Sequence, residues 1–171
     1  MATVQISVEE YLRTSYHPDC DYVDGEVQER NYGEFDHAAA QGFLIGWFFP
    51  RRGGWQLHVL PEMRIRVSGR RVRIADLCLM ARSQPVEQVL TQPPLAAIEI
   101  LSPEDRMSRY NERLTDYRRM GIPNVWVIDP GNRVGYDCST AAWLPVEEFR
   151  VVGTTIFFRL SDLWSELDAN R

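Results

Sequence analysis

The hydrophobic and polar positions of this chain change period several times, and each change marks an element. His37, Gln41, Leu44, Ile45 and Phe48 recur at helical spacing, which predicts a long helix over residues 34–49, ended by Pro50 through Gly54. Ser7-Val8-Glu9-Glu10 fits a capping box and opens a short helix over 7–14. Asp24-Gly25 is a turn signal between two short strand-like pieces within 22–30. Residues 55–59, 63–67 and 71–80 read as strands, with Ser68-Gly69-Arg70 turning between the last two. A loop follows to Pro94, then an apolar strand over 95–101. A helix over 103–120 has Ser102 as its cap, Pro103 in its first position and Gly121 as its stop. Residues 124–129 form a buried strand, so the strand-helix-strand run predicts a right-handed crossover between parallel strands. Short strands over 133–136, 149–152 and 155–158 and a helix over 160–167 close the chain. No repeat or linker interrupts this order, and the expectation is one α+β domain over residues 1–171.

Two residues break the apolar pattern. Asp76 lies within Val72-Arg73-Ile74-Ala75-Asp76-Leu77-Cys78-Leu79-Met80, and Glu99 within Leu95-Ala96-Ala97-Ile98-Glu99-Ile100-Leu101. A carboxylate inside a sheet is costly unless something pairs with it. Two on neighbouring strands repel unless a cation lies between them, which is how a magnesium site is built. The other reading is two separate carboxylates, each paired with an arginine.

Composition narrows the chemistry. The chain has 171 residues, 44% hydrophobic and 25% charged, as in ordinary globular proteins. No run approaches a membrane span, and Met1-Ala2-Thr3-Val4-Gln5 does not begin like a signal peptide. Cys20, Cys78 and Cys138 form no CxxC pair, which argues against a zinc knuckle or a disulfide framework and for a cytoplasmic protein. The net charge of −5 argues against indiscriminate nucleic-acid binding. All 19 cationic side chains are arginine. Without lysine there is no Schiff-base chemistry and no lysine general base.

The order of blocks resembles the PD-(D/E)XK nuclease superfamily and, more narrowly, the restriction-endonuclease family labelled Uma-two. The resemblance is carried by Tyr22-Val23-Asp24-Gly25-Glu26, His37, Ala75-Asp76-Leu77, Ile98-Glu99-Ile100-Leu101-Ser102-Pro103, Arg113-Leu114-Thr115-Asp116-Tyr117 and Gly121 through Pro130. It implies a restriction-endonuclease-like core, a mixed β-sheet flanked by helices. It implies further that Asp76, Glu99, Glu26 and the backbone carbonyl of Ile100 hold Mg2+ or Mn2+, which activates a water to cleave DNA. His37 would relay a proton or contact phosphate. Glu26 also reads as a solvated turn residue. The superfamily's lysine two positions after the glutamate is Leu101 here, and the position to which the resembled family moves it is Arg113. Arginine can clamp a phosphate with two hydrogen bonds but does not readily give up a proton.

Arg106, Tyr110, Arg113 and Tyr117 share one helical face, and Arg113 is the arginine assigned to the site. Arg106 and Arg109 read as surface residues, or as partners of Glu104, Asp105, Glu112 and Asp116. The alternating Arg64, Arg66, Arg71 and Arg73 read first as a solvated strand face. The apolar stretch over 42–49 exceeds what one helix face buries, which predicts a homodimer. The expectation is a metal-dependent endonuclease acting on DNA, with no membrane partner. The rival is a nuclease fold retained for binding DNA or protein, its chemistry weakened where arginine stands for lysine.

Overall fold

Every residue from Val72 to Met80 is buried, and the strand they form lies at the centre of the molecule. The computed structural model describes residues 5–30, 33–103 and 106–169. Its elements are α1 (Val8–Arg13), β1 (Cys20–Val23), β2 (Glu26–Glu29), α2 (Phe35–Arg51), β3 (Leu57–Ser68), β4 (Arg71–Ala81) and β5 (Ala96–Ile100). They continue with α3 (Met107–Met120), β6 (Asn124–Asp129), β7 (Val134–Asp137), β8 (Leu144–Val146), β9 (Glu148–Arg150), β10 (Phe157–Arg159) and α4 (Leu160–Ala169). The main sheet runs β2-β1-β4-β5-β6-β7-β8, with β3 also paired to β4. Among the described strands only β5 and β6 pair in parallel, joined through α3; the other strand pairings are antiparallel. The result is an α+β fold, a mixed and mostly antiparallel sheet flanked by helices.

Alternation along the strands divides the core. Leu77, Leu79, Ile98, Ile100, Trp126 and Ile128 pack against Ala40, Leu44 and Phe48 of α2 and against Leu160, Leu163 and Leu167 of α4. Cys78, Met80, Ala97, Val125 and Val127 belong to the cluster of Leu114 and Tyr117 on α3. Among the described residues no helix is long and apolar enough to cross a membrane.

Several local signals act as their chemistry dictates. The Ser7 hydroxyl accepts from Glu10 N–H at 3.1 Å and caps α1. Asp24 and Gly25 both take positive φ, the turn that matches the twist of a two-residue hairpin. Gly121 ends α3 in the left-handed conformation.

The structure also corrects three expectations. The strands predicted over 55–59 and 63–67 are one strand, β3, because Glu62 takes positive φ (51°) and carries the chain past Pro61 without ending the pairing. Helix α3 begins at Met107, with Arg106 as its cap. The sheet claims the residues before it: Leu101 N–H donates to the Ile128 carbonyl, and Ser102 turns toward the cleft described below. Glu104 and Asp105, named as partners for arginines, lie outside the described residues. The hairpin arginines do not form a solvated face, since Arg73 is 2% exposed and Arg71 lies against Asp24 and Asp116.

The apolar face of α2 that predicted a homodimer is partly covered within the chain. Trp47 donates its indole N–H to the Phe157 carbonyl at 2.8 Å and meets the Phe157 and Phe158 rings edge-on, while Phe43 packs on Phe158. Part of the apolar surplus of α2 is thus taken up within the chain by β10 and α4, while Phe49 stays 48% exposed.

Candidate active site

The β4–β5 ladder pairs Leu77 with Ile98, and the next step of that register brings Asp76 beside Glu99. The ladder stops there, and the backbone N–H of Ile100 donates instead to Asp76 Oδ2 at 2.8 Å. Both carboxylates are buried, Asp76 at 2% and Glu99 at 0% exposure. Asp76 borders a cleft of about 240 Å³ whose wall includes Arg30, His37, Gln41, Glu62, Tyr110 and Arg113, and Glu99 lies behind that wall, bonded to Arg113.

Four groups serve Asp76, the Ile100 N–H among them. Arg30, just beyond β2, donates from Nη2 to Oδ1 at 2.5 Å and from Nη1 to Glu62. His37, in the first turn of α2, donates from Nε2 to Oδ2 at 3.3 Å, since an ionised carboxylate can only accept. One turn on, Gln41 Nε2 reaches the Asp76 carbonyl at 2.8 Å and Glu62 Oε1 at 2.7 Å. Burial works to raise the Asp76 pKa, but the His37 bond, the Arg30 charge and the Ile100 N–H outweigh it and hold this carboxyl below its usual range. Burial alone would lower the His37 pKa, and its bond to Asp76 raises it instead.

Glu99 is served from α3. Arg113 Nη1 donates to Oε2 at 3.0 Å and Tyr117 Oη to Oε1 at 2.6 Å. Burial pushes the Glu99 pKa up to about 7, with Asp76 adding to the rise and Arg113 opposing it. Arg113 is shared, because its Nη2 also donates to Asp21 Oδ2 at 3.0 Å. Asp21 in turn binds Arg73 Nη1 at 3.1 Å and the Ile74 N–H at 3.1 Å, and so fixes Arg113 to the sheet. Tyr110 Oη donates to the Ile100 carbonyl at 3.0 Å.

Asp76, Glu99, Ile100, His37 and Arg113 are thus brought together, and Glu26 is not. Glu26 pairs with Val23, which pairs with Arg71, five residues along β4 from Asp76 or roughly 16 Å at the usual strand rise. The register of β3 places Glu62 opposite Asp76 instead. Neither Glu62 nor Arg30 carried a sequence signal. Asp21 carried none either, and only the burial of the strand Cys20–Val23 marks its carboxylate. Arg106 and Arg109 are exposed, and Asp129 accepts from Asn132 in a local turn.

The donor chemistry suits a hard divalent ion, with oxygens from Asp76, Glu99 and the Ile100 carbonyl. The arrangement does not. Every one of those oxygens accepts a hydrogen bond from this chain. Among the described residues no three His, Cys, Asp or Glu side chains converge as a metal-binding group. As they stand, these residues do not fit the ion.

A family model, Uma2, described as "Putative restriction endonuclease", matches residues 8–134. No curated protein matches the chain. Among solved structures the fold is similar to "a putative nuclease belonging to DUF820" from Anabaena variabilis ATCC 29413, with TM-score 0.74 and 17% identity over 95% of this chain and 99% of that one. That likeness speaks for the fold alone. A DrdV–DNA complex gives TM-score 0.42 at 15% identity over 77% of this chain and 10% of that one, too distant to carry an argument. The family match spans most of the chain, including β1 to β6 and the whole cleft, and the chain belongs to the Uma2 family.

Proposed function

We propose that this protein is an endonuclease that hydrolyses phosphodiester bonds in DNA at the Asp76–Glu99 cleft. The observation that carries the reading is two buried carboxylates on adjacent strands, of which Asp76 opens onto a cleft walled by two guanidiniums. A phosphodiester there meets N–H donors of Arg30 and Arg113, whose planar forks suit its non-bridging oxygens. His37 holds a proton against Asp76 and can exchange it with a group in the cleft. Asp21 keeps Arg113 in place. Mg2+ or Mn2+ belongs to this reading as the ion whose preferred ligand types Asp76 and Glu99 provide.

One observation favours a second reading, a nuclease fold that binds DNA without cutting it: the oxygens of both carboxylates are already satisfied from within the chain. Manganese-dependent cleavage of plasmid and single-stranded DNA, run beside Asp76→Asn, separates the two. Cleavage lost in the variant supports the nuclease. Duplex binding without cleavage by the native protein, in manganese or magnesium, supports the binding module.

A further inference from the structure

We infer that the outward face of α2 is a two-fold interface, on which α2 of a second copy of this chain packs antiparallel about Gly42. The inference goes beyond the nuclease reading and does not depend on it. A surface helix ordinarily turns polar side chains to water. Between Phe35 and Phe49 the exposed positions of α2 are Phe35, Ala38, Gly42, Gly46 and Phe49, and none is polar. Phe35 is 69% exposed. Steps of three, four, four and three residues keep these positions on one helical face. Gly42 and Gly46 have no reason inside the chain. Glycine destabilises a helix relative to alanine, yet a Cβ on either one meets nothing within 4 Å. Beside them lies a groove of about 580 Å³, lined also by Phe43, Trp47 and Glu166. Bare backbone next to an open groove lets a second helix come close, because side chains set the distance between helix axes.

The occupant is a second copy because the face complements itself. The exposed positions are symmetric about Gly42, bulky at both ends and small between. An antiparallel pair sets Phe35 against the partner's Phe49 and Ala38 against the partner's Gly46, as a two-fold contact requires. The charges agree. Glu34 is exposed at the N-cap of α2, and its side chain makes no capping hydrogen bond. Arg52 is the C-cap, its guanidinium 3.6 Å from the centre of the Phe49 ring. The antiparallel pair brings Glu34 beside the partner's Arg52, and the two-fold repeats that pairing at the other end. A parallel pair would set like charges together. Gly33, His37 and Ala38, at the start of α2, line the cleft. The partner's Arg52 therefore comes to the cleft rim and adds a guanidinium from outside the chain.

The test is sedimentation velocity of the full chain from about 1 to about 100 μM, a span suited to a contact at the small end of specific interfaces. Native protein is expected to move from 19.8 kDa toward twice that mass as concentration rises. Gly42→Glu sets two carboxylates face to face on the two-fold and is expected to stay monomeric. Its new side chain meets open space in the single chain and favours a helix, so the melting temperature of the dilute protein should not fall. Glu34→Arg and Arg52→Glu are each expected to weaken the dimer about fivefold, since each bridge occurs twice, and the double variant to restore it. A native chain that stays at 19.8 kDa throughout overturns the proposal. So does a Gly42→Glu chain that dimerises as the native one does. Loss of the dimer in Gly42→Glu without recovery in the double variant overturns the antiparallel pairing. Cleavage of DNA is read separately through Asp76→Asn, so failure of the dimer leaves the nuclease reading where it stands.

Discussion

Two clusters of buried charge lie side by side in this molecule, and they differ in what they border. One is sealed: Asp21, Arg73 and Asp116 are 1%, 2% and 5% exposed, bonded to one another between β1, β4 and α3. The other is open: Asp76 is equally buried, but its partners Arg30, His37 and Gln41 form the wall of a cleft. The chemistry of the pairs is the same and their freedom is not. Sealed charges exchange partners only if the fold opens, because bare charge in the interior is prohibitive. Charges at a cleft wall can trade an internal cation for a ligand. Arg113, bonded to both Asp21 and Glu99, ties the two clusters together.

The sharpest break of this comparison is Asp21→Ala, which leaves Arg73 and Arg113 without their shared carboxylate. It is expected to lower stability by about 3–5 kcal/mol in urea denaturation, as for a broken buried pair. Arg30→Gln should cost less, about 1–3 kcal/mol, because Asp76 keeps His37 and the Ile100 N–H. Equal losses would show that the two clusters are equally structural.

The pH dependence of stability, measured in a chelator, probes the border between the clusters. The Glu99 pKa in the folded protein, about 7, lies above its ordinary 4.5, so folding favours the protonated form. That stabilisation is complete below about 4.5 and is lost as pH rises through about 7. His37, also raised, acts in the same direction above its ordinary 6.5. Asp76, held low, acts oppositely, and its contribution is lost only as pH falls below 3.8. The melting temperature is therefore expected to fall from about pH 5 to about pH 8, and Glu99→Gln to flatten that slope. A rising melting temperature over the same window would contradict the placement of Glu99. The smallest effect is expected from Glu62→Gln, within about 1 kcal/mol, because its pair is half-exposed. Its value is in sharpening the contrast, since an acid opposite Asp76 would then matter for Arg30 and hardly for folding.

Local chemistry is what the sequence determined. Apolar runs gave β4, β5 and β6 because a strand buried on both faces needs no alternation. Ser7 set its cap through its own hydroxyl, and Asp24-Gly25 and Gly121 set their turn and stop through their own backbones. Asp76 and Glu99 stood out because a carboxylate in such a run is anomalous wherever it lies. The tertiary structure decided who meets whom. Arg30 reaches Asp76 across 46 residues, and Arg113 reaches Asp21 across 92. Those meetings depend on strand register, which no single segment encodes. Register also turned Glu26 away and put Glu62 in its place, and packing by β10 and α4 covered part of the face of α2 that had predicted a dimer. A side chain's type is written in the sequence; its partner is fixed only when distant strands pair, because charge inside a fold must find its counter-charge among whatever the topology brings near.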